Sequence, residues 1–242
     1  MIIPEDKEQF LRELQDTIHA LETKLGQSQF VRPFVCAGEL TACDVFIVGV
    51  NPREDMEFRP YWDGISFNKA AWEDEYQRQR LSRTGSKSMS PTRTKLNLIC
   101  EGASPANVLE TNLYPVATST ERILRRDPAR QNDAIFALLL RRLQPRVVIT
   151  HGTTARDRVV ELLALQENEV QEAMLHMKAK PSNPAQFTKA RPRAWGDSPV
   201  VYLKALRHLG RNYSYDFMRQ LGERVREIVA VEAVSATNSN RH

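Results

Sequence analysis

One stretch, DVFIVGVNPRED over Asp44–Asp55, constrains the possible fold more than any other part of the chain. It contains a continuous apolar run, Val45–Val50, that leads into Asn51, Pro52 and Arg53. A short apolar run closed by Gly and Pro is typical of a buried, parallel strand that leads into a tight turn. Ligands of open α/β sheets collect just beyond the carboxyl ends of such strands. The turn therefore predicts a functional site with a carboxamide, a rigid proline and a cation.

Three more strand patterns follow, with helical patterns between and after them. The strands are predicted at Val108–Leu113, Arg146–Thr150 and Val200–Leu206. Helices are predicted at Glu5–Leu25, Lys69–Gln79, Thr94–Glu101, Asn132–Leu143, Thr154–Leu165 and Tyr215–Val231. Strands that alternate with helices favour a parallel sheet covered on both faces. We therefore expect a three-layer α/β/α fold with a central four-stranded parallel sheet.

Length and cysteine content restrict the class of protein. The 242 residues suffice for one domain, expected over residues 1–234 and including the N-terminal helix, with a flexible tail over residues 235–242. Three cysteines, Cys36, Cys43 and Cys100, are too few and too poorly spaced for a disulfide framework or a structural metal site. No signal peptide or membrane-spanning segment is apparent. We expect a cytoplasmic monomer without a metal, a cofactor or a membrane partner.

The distribution of charge is more informative than the formal net charge of +4, which barely favours nucleic acid. Basic residues concentrate in Arg78–Arg93, Arg122–Arg146 and Lys178–Arg193. Two long irregular stretches, Leu81–Thr94 and Lys178–Pro199, overlap the first and last of these regions, and the second stretch also contains Phe187 and Trp195. Cations beside aromatic rings suit phosphate contacts and base stacking, although such loops are also compatible with a merely solvated surface. The residues assigned to DNA contacts here are Arg83, Lys87, Arg93, Lys189, Arg191 and Arg193.

Polar residues follow all four predicted strands. They are Asn51, Asn112, His151 and His208. We expect them to converge at one edge of the sheet, because the carboxyl ends of parallel strands lie together. The chain has no Gly-x-Ser-x-Gly elbow and no Gly-rich phosphate loop. An amide that orients a water and an imidazole that donates to a departing anion suit a dissociative bond cleavage.

These segments resemble motifs of the uracil-DNA glycosylase superfamily, whose members have a four-stranded parallel sheet between helices. GVNPR (Gly49–Arg53) is similar to the motif after the first strand, in the Gly-x-Asn-Pro form of the mismatch-specific and single-strand-selective branches. RHLGRNY (Arg207–Tyr213) is similar to the His-containing motif after the last strand. ETNLYP, which begins at Glu110, resembles the second strand, whose asparagine reads the base edge.

The resemblance implies a monofunctional DNA glycosylase that flips out a damaged or modified pyrimidine and excises it by water attack. Asn51 would position the water, His208 would stabilise the leaving base, and Asn112 would read its edge. Family members also stack an aromatic ring on the base. The implied substrate-binding residues are Gly49, Pro52, Arg53, Tyr61, Phe67, Asn112 and His151, with Trp62 as a third stacking candidate. The segment Leu209–Asn212 would enter the duplex, so Gly210, Arg211 and Asn212 are assigned to DNA contacts.

Departures from the family pattern leave the substrate open. This chain has His-Leu-Gly where members commonly have His-Pro-Ser, and Arg53 replaces a common glycine. The long segment Glu54–Lys95 suggests a pocket roomier than uracil needs. A uracil-type lesion, with a role in DNA repair, and a hypermodified phage cytosine, with a role in antiviral defence, are therefore both candidates. Two other classes also stay open: a non-catalytic nucleic-acid-binding module of the same fold, and a nucleoside hydrolase or deoxyribosyltransferase.

Overall fold

A seven-stranded mixed sheet with helices on both faces forms the centre of the protein. The computed structural model describes residues 4–26, 31–54, 56–85, 89–118, 130–178, 183–196 and 200–239. The strands are β1 (Phe34–Glu39), β2 (Val45–Gly49), β3 (Ser66–Asn68), β4 (Val108–Asn112), β5 (Val147–His151), β6 (Thr188–Ala190) and β7 (Val201–Leu206). The α-helices are α1 (Pro4–Leu25), α2 (Lys69–Thr84), α3 (Pro91–Ala103), α4 (Ala134–Leu143), α5 (Thr153–Leu163), α6 (Glu167–Lys178), α7 (Leu209–Asn212) and α8 (Tyr215–Ser239).

The four predicted strands form the parallel centre of the sheet, in the order β4-β2-β5-β7. This confirms the α/β class, but the prediction of only four strands is wrong. Antiparallel strands extend both sides, so the full order is β3-β1-β4-β2-β5-β7-β6. β3 and β6 have three residues each, which is too short for a periodic pattern to be recognisable in the sequence.

Alternating residues of β2 face two different helical layers. Phe46 and Val48 pack into a core that includes residues of α1, α4 and α5, whereas Val45 and Ile47 pack with α3 and α8. This alternation follows from the period of two along a strand. Both faces of the central strands are therefore covered, as a continuous apolar run predicts.

Two glycines allow α3 and α8 to approach closely. A Cβ on Gly102 would lie 2.7 Å from the carbonyl oxygen of Arg219, and one on Gly222 would overlap the carbonyl oxygen of Ile99. Any larger side chain at either position would separate the helices. The close crossing fixes α3, whose N-terminal turn carries two cations of the candidate site.

Both segments predicted as long irregular loops contain regular structure. Within Leu81–Thr94, α2 continues to Thr84 and α3 begins at Pro91, where the Ser90 hydroxyl accepts a hydrogen bond of 3.2 Å from the Arg93 amide. Lys178–Pro199 contains β6 and a 3-10 helix over Arg193–Trp195. In the described part of the chain, no helix is both long and apolar enough to span a membrane.

Candidate functional site

The strand order creates a crevice at the carboxyl ends of the central strands. From β2 the chain passes to β4 on one side, then crosses back over β2 to β5 and β7 on the other. In doubly wound sheets, ligands bind where the order reverses in this way, between the carboxyl ends of the two flanking strands. Here these are β2 and β5, which end at Gly49 and His151. The topology alone therefore selects the turn after β2 as a binding site.

Gly49 forms the floor of this crevice. A Cβ added to Gly49 would lie 2.7 Å from Asn112 Oδ1 and 2.7 Å from His151 Nε2. The side chains of β4 and β5 therefore meet directly over the Cα of Gly49. Glycine is required at this position because of the close approach of two polar side chains, both of which are half-buried.

His151 is neutral at neutral pH. Its pKa is lowered to about 4, mainly by burial and secondly by charge repulsion from nearby His208. Arg93 acts in the same direction, and Glu110 opposes both. The influence of His208 also shows that the histidines after β5 and β7 are close enough to interact. A neutral imidazole beside Asn112 can accept or donate a hydrogen bond to a ligand above Gly49.

The Asn51 side chain is held in one orientation. Its Nδ2 donates to Thr118 Oγ1 at 2.7 Å, to the Pro52 carbonyl at 2.9 Å and to the Thr118 carbonyl at 3.3 Å. Two of these partners are carbonyls, which only accept, so the amide nitrogen must be the atom that faces them. Within the described part of the chain, no group donates a hydrogen bond to Asn51 Oδ1. This oxygen is free to accept a hydrogen bond from a water molecule.

His208 is exposed on a turn that is anchored on three sides. The Gly152 amide donates to the Leu206 carbonyl at 3.0 Å, the Arg207 amide donates to Tyr213 Oη at 2.7 Å, and buried Lys95 donates to the Leu209 carbonyl at 2.7 Å. The predicted duplex-entering loop is instead the single helical turn α7, in which Leu209 is buried. Asn212 Nδ2 donates to the His208 carbonyl at 2.9 Å, so it stabilises this turn. Gly210 and Arg211 lie in the same turn, and their DNA contacts remain predictions.

A buried ionic cluster lies beside the crevice. Glu110 in β4 accepts a hydrogen bond from Arg93 and another, of 2.7 Å, from Lys69. Burial by itself would raise the pKa of Glu110, but the charges of Arg93 and Lys69 outweigh it and lower the pKa to about 2. Arg93 was predicted to contact DNA phosphates, and this is corrected: its guanidinium is buried and paired with Glu110.

Two of the three aromatic residues predicted to stack on a base, Phe67 and Trp62, are buried in the core, and the role of half-buried Tyr61 stays a prediction. Phe67 is fully buried in a cluster of rings, with centroids 5.6 Å from Phe58 and 6.1 Å from Phe34. Its stacking role is therefore corrected, because no ring face is open to a ligand. Tyr61 packs 6.2 Å from Phe67, near Glu75 of α2. Trp62 belongs to the same buried cluster. Met56 and Phe58 are buried as well, so the chain after the first motif packs against the core.

The two basic segments lie at different edges of the sheet. α2 begins where Lys69 contacts Glu110, in the middle of β4. It then passes Tyr76, which interacts with Arg32 in the segment before β1, so α2 runs towards the carboxyl edge. Arg83, in the last turn of α2, is exposed and is expected beyond this edge. In the other segment, Ala190 pairs with Val201, the first residue of β7. The cations after it therefore lie at the amino edge.

This register corrects the prediction that the second basic segment flanks the site. Lys189, Arg191 and Arg193 are exposed. Arg191 directly follows the pairing of Ala190 with Val201, so the full length of β7, about 17 Å at ~3.3 Å per residue, separates it from His208. Lys189 lies over the ring of Tyr202, 5.6 Å from its centroid. Lys87, from the first segment, lies outside the described residues.

Other residues of the first motif have clear structural positions. Pro52 is buried, and its carbonyl accepts a hydrogen bond of 3.0 Å from the Thr118 amide. Arg53 is exposed at the rim. The sequence reasoning missed Thr118, Lys95 and Glu110, which hold Asn51, the His208 turn and Arg93. Only Glu110 carried a visible signal, as an acidic residue inside a predicted buried strand.

In the ranges that the structure describes, no group of three or more His, Cys, Asp or Glu side chains is arranged to hold a metal ion. No protein-family model matches the chain, and no curated protein matches its sequence.

Proposed function

We propose that this protein is a monofunctional DNA glycosylase that excises a damaged or modified pyrimidine and leaves an abasic site. The observation that carries the proposal is the anchored amide of Asn51, whose Oδ1 is available to a water. His151, at the end of the neighbouring strand, is neutral at neutral pH. These groups lie at the carboxyl edge where Asn112 and the His208 turn also converge. The resemblance of GVNPR and RHLGRNY to glycosylase motifs agrees with this chemistry.

The proposed reaction is hydrolysis of the N-glycosidic bond. Cleavage develops positive charge on the sugar and negative charge on the departing base. Asn51 Oδ1 accepts a hydrogen bond from the attacking water and orients it towards the sugar carbon. His208 donates a hydrogen bond to the base as its negative charge develops, and Asn112 holds the edge of the base. Preorganised donors of this kind stabilise a transition state without reorganising during the reaction.

A Schiff-base lyase step is not part of this proposal. It would require an amine at the sugar. Burial lowers the pKa of Lys204 to about 8, but its Nζ donates to the carbonyls of Asn183 at 2.8 Å and Gln186 at 2.6 Å. Lys204 pairs with Ile149 in the middle of the sheet and is buried. The product should therefore be an intact strand with an abasic site.

The deciding experiment incubates the protein with plain, uracil-containing and phage-modified DNA and measures abasic sites. We expect cleavage after alkaline treatment on one of the modified substrates, no effect of EDTA and no adduct after borohydride. Asn51→Ala and His208→Ala should each reduce excision by orders of magnitude. A trapped covalent protein–DNA adduct, or full activity of the double variant, would overturn the mechanism.

The same assay separates the other two classes of function. A non-catalytic binding module would bind DNA and yield no abasic sites on any substrate. A nucleoside hydrolase or deoxyribosyltransferase would release base from free nucleosides at a rate that salt does not change. Binding to DNA, in contrast, weakens steeply with salt because phosphate contacts release counterions.

A further inference from the structure

Two buried hydrogen-bond donors beside the candidate site have no acceptor. They are Nη1 of Arg32 and Nε1 of Trp72, and neither has a hydrogen-bond partner among the residues that the structure describes. The Arg32 guanidinium carbon lies 5.2 Å from the centroid of the Trp72 ring, so the two side chains are neighbours. Arg32 is 9% exposed and Trp72 is fully buried. Buried polar groups are nearly always hydrogen-bonded, so a pair of adjacent unpaired donors calls for a missing acceptor.

Arg32 lies at the carboxyl edge of the sheet, next to the turn that carries Asn51. Its amide donates a hydrogen bond of 2.7 Å to the carbonyl of Pro115, just beyond the end of β4. Its charge interacts with Glu54, which follows Arg53 in the turn after β2. The unpaired donors therefore lie between the segments that follow β2 and β4, beside Asn112.

Two buried guanidinium groups lie close together here, and Glu54 and Glu110 partly offset the charge of Arg32. Arg93 lies 5.0 Å from the same Trp72 centroid, so two guanidinium groups flank one indole ring. Burial, followed by repulsion from Arg93, lowers the pKa of Arg32 to about 10. Glu110 is already occupied by Arg93 and Lys69. Glu73 also has a buried oxygen without a donor, but it acts on Arg93 and is not among the groups that act on Arg32.

We propose that Arg32 and Trp72 form a receptor for an oxyanion of the substrate, a carboxylate or a phosphate group. The oxyanion accepts hydrogen bonds from Arg32 Nη1 and Trp72 Nε1 and offsets the repulsion between the two arginines. A guanidinium suits this role because its planar donors match the oxygens of both groups. Only the source of the oxyanion, on the base or in the DNA backbone, rests on the proposed function.

The receptor is tested with inorganic phosphate and the whole protein, by measuring the melting temperature at constant ionic strength set with chloride. We expect a saturable rise in the melting temperature, because a ligand that binds only the folded state stabilises it. Arg32→Gln should weaken the apparent affinity for phosphate at least tenfold. Trp72→Phe, which keeps a ring and removes the N–H, should weaken it by a smaller factor. Arg219→Gln, an exposed arginine on α8, is the matched control and should behave as the wild type.

Stability without phosphate gives a second readout. If Arg32 serves a ligand, its buried charge, which Glu54 and Glu110 offset only in part, costs stability in the free protein. Arg32→Gln should then melt no lower than the wild type. A large drop in the melting temperature of Arg32→Gln would indicate a structural arginine and overturn the proposal. So would a wild-type protein with no saturable response to phosphate, or an unchanged response in both Arg32→Gln and Trp72→Phe.

The source of the oxyanion is identified with DNA. If it belongs to the base, Arg32→Gln should slow excision of a carboxylate-bearing pyrimidine at least tenfold and leave excision of the matching carboxamide unchanged. If the oxyanion belongs to the backbone, Arg32→Gln should weaken binding of both DNAs. A methylphosphonate at one linkage beside the target should then abolish the difference in DNA affinity between the wild type and Arg32→Gln. If Arg32→Gln changes neither the excision of the carboxylate-bearing pyrimidine nor the binding of DNA, the role of Arg32 as a substrate receptor is overturned. Absence of excision from every DNA would refute the proposed function and leave the phosphate result intact.

Discussion

The polar side chains at the two edges of the parallel sheet differ in how many of them have hydrogen-bond or ion-pair partners. At the amino edge, Arg146 contacts Asp44 at 3.5 Å and donates to the Val229 carbonyl at 3.1 Å. At the carboxyl edge, Arg32 Nη1, the buried Thr150 hydroxyl and the half-buried Asn51 Oδ1 have no partner within the described residues. At the amino edge, Arg142 Nε in the last turn of α4 is also without one, although Arg142 Nη2 donates to Glu13. Unpaired buried polar groups cost stability, so a fold retains them where a ligand completes them. The larger number of such groups at the carboxyl edge agrees with the binding position that the strand order favours.

The carboxyl edge also contains the strongest pairing in the site. Glu110 is buried with Arg93 and Lys69, whereas the Asp44 side chain at the amino edge is 42% exposed. The buried cluster holds Arg93 beside Trp72 and biases the pKa of His151. Rigid, fully paired supports next to unpaired groups are the arrangement expected of a preorganised site.

The largest effect should come from removing the amide that orients the water. Asn51→Ala should lower the single-turnover rate of excision by about two to four orders of magnitude, the range typical of groups that assist proton transfer. DNA affinity should change little, because Asn51 is half-buried and makes its contacts within the protein. Asn107→Ala is the counterpart at the amino edge, where the Asn107 side chain is exposed. Equal losses in the two variants would remove the distinction between the edges.

The second comparison uses the stability of the two ion pairs. Glu110→Gln leaves Arg93 and Lys69 buried without a counter-charge, so it should cost about 3–5 kcal/mol of unfolding free energy at pH 7. Asp44→Asn breaks an exposed pair and should cost about 0–1 kcal/mol. Chemical denaturation measures both.

The pH dependence of the unfolding free energy lost in Glu110→Gln provides a control. The pKa of Glu110 is about 2 in the folded protein and 4.5 ordinarily. A carboxylate with a lowered pKa contributes its full stability above the ordinary value and loses it as the pH falls through the folded value. The difference between the wild type and Glu110→Gln should therefore narrow from pH 4.5 to pH 2. A constant difference over this range would mean that the charge of Glu110 is not what stabilises the fold.

The sequence predicted the parallel centre of the fold because its strands are continuous apolar runs, as in Val45–Val50. It also predicted which residues follow those strands, since order along the chain fixes them. It failed for β3 and β6, whose pairing depends on neighbours distant in sequence. It failed likewise for Arg93 and Phe67, because the sequence around an arginine or a phenylalanine does not show which distant residue it contacts. The orientation of Asn51 depends on Thr118, 67 residues away.

The third comparison concerns two glycines at opposite ends of the strands. Gly49→Ala forces a methyl group against Asn112 and His151 and should cost about 1–3 kcal/mol, as overpacking does. It should also slow excision at least tenfold. Gly38→Ala, near the amino edge, meets no atom within 4 Å but has φ of +84°, so it should lose about 1–2 kcal/mol through backbone strain alone and keep its activity. Loss of activity in both variants would show that activity follows stability and not the geometry over Gly49.

The smallest effect concerns the two basic segments. Arg83 projects beyond the carboxyl edge and Arg191 lies at the amino edge, and both are exposed. If DNA crosses the carboxyl edge, Arg83→Gln should remove one phosphate contact and lower the slope of log affinity against log salt by about 1. Arg191→Gln should leave the slope unchanged, because β7 separates it from the site. Titrations of DNA at several salt concentrations measure both slopes. A loss of slope with Arg191→Gln and none with Arg83→Gln would mean that DNA binds at the amino edge, away from Asn51 and His208.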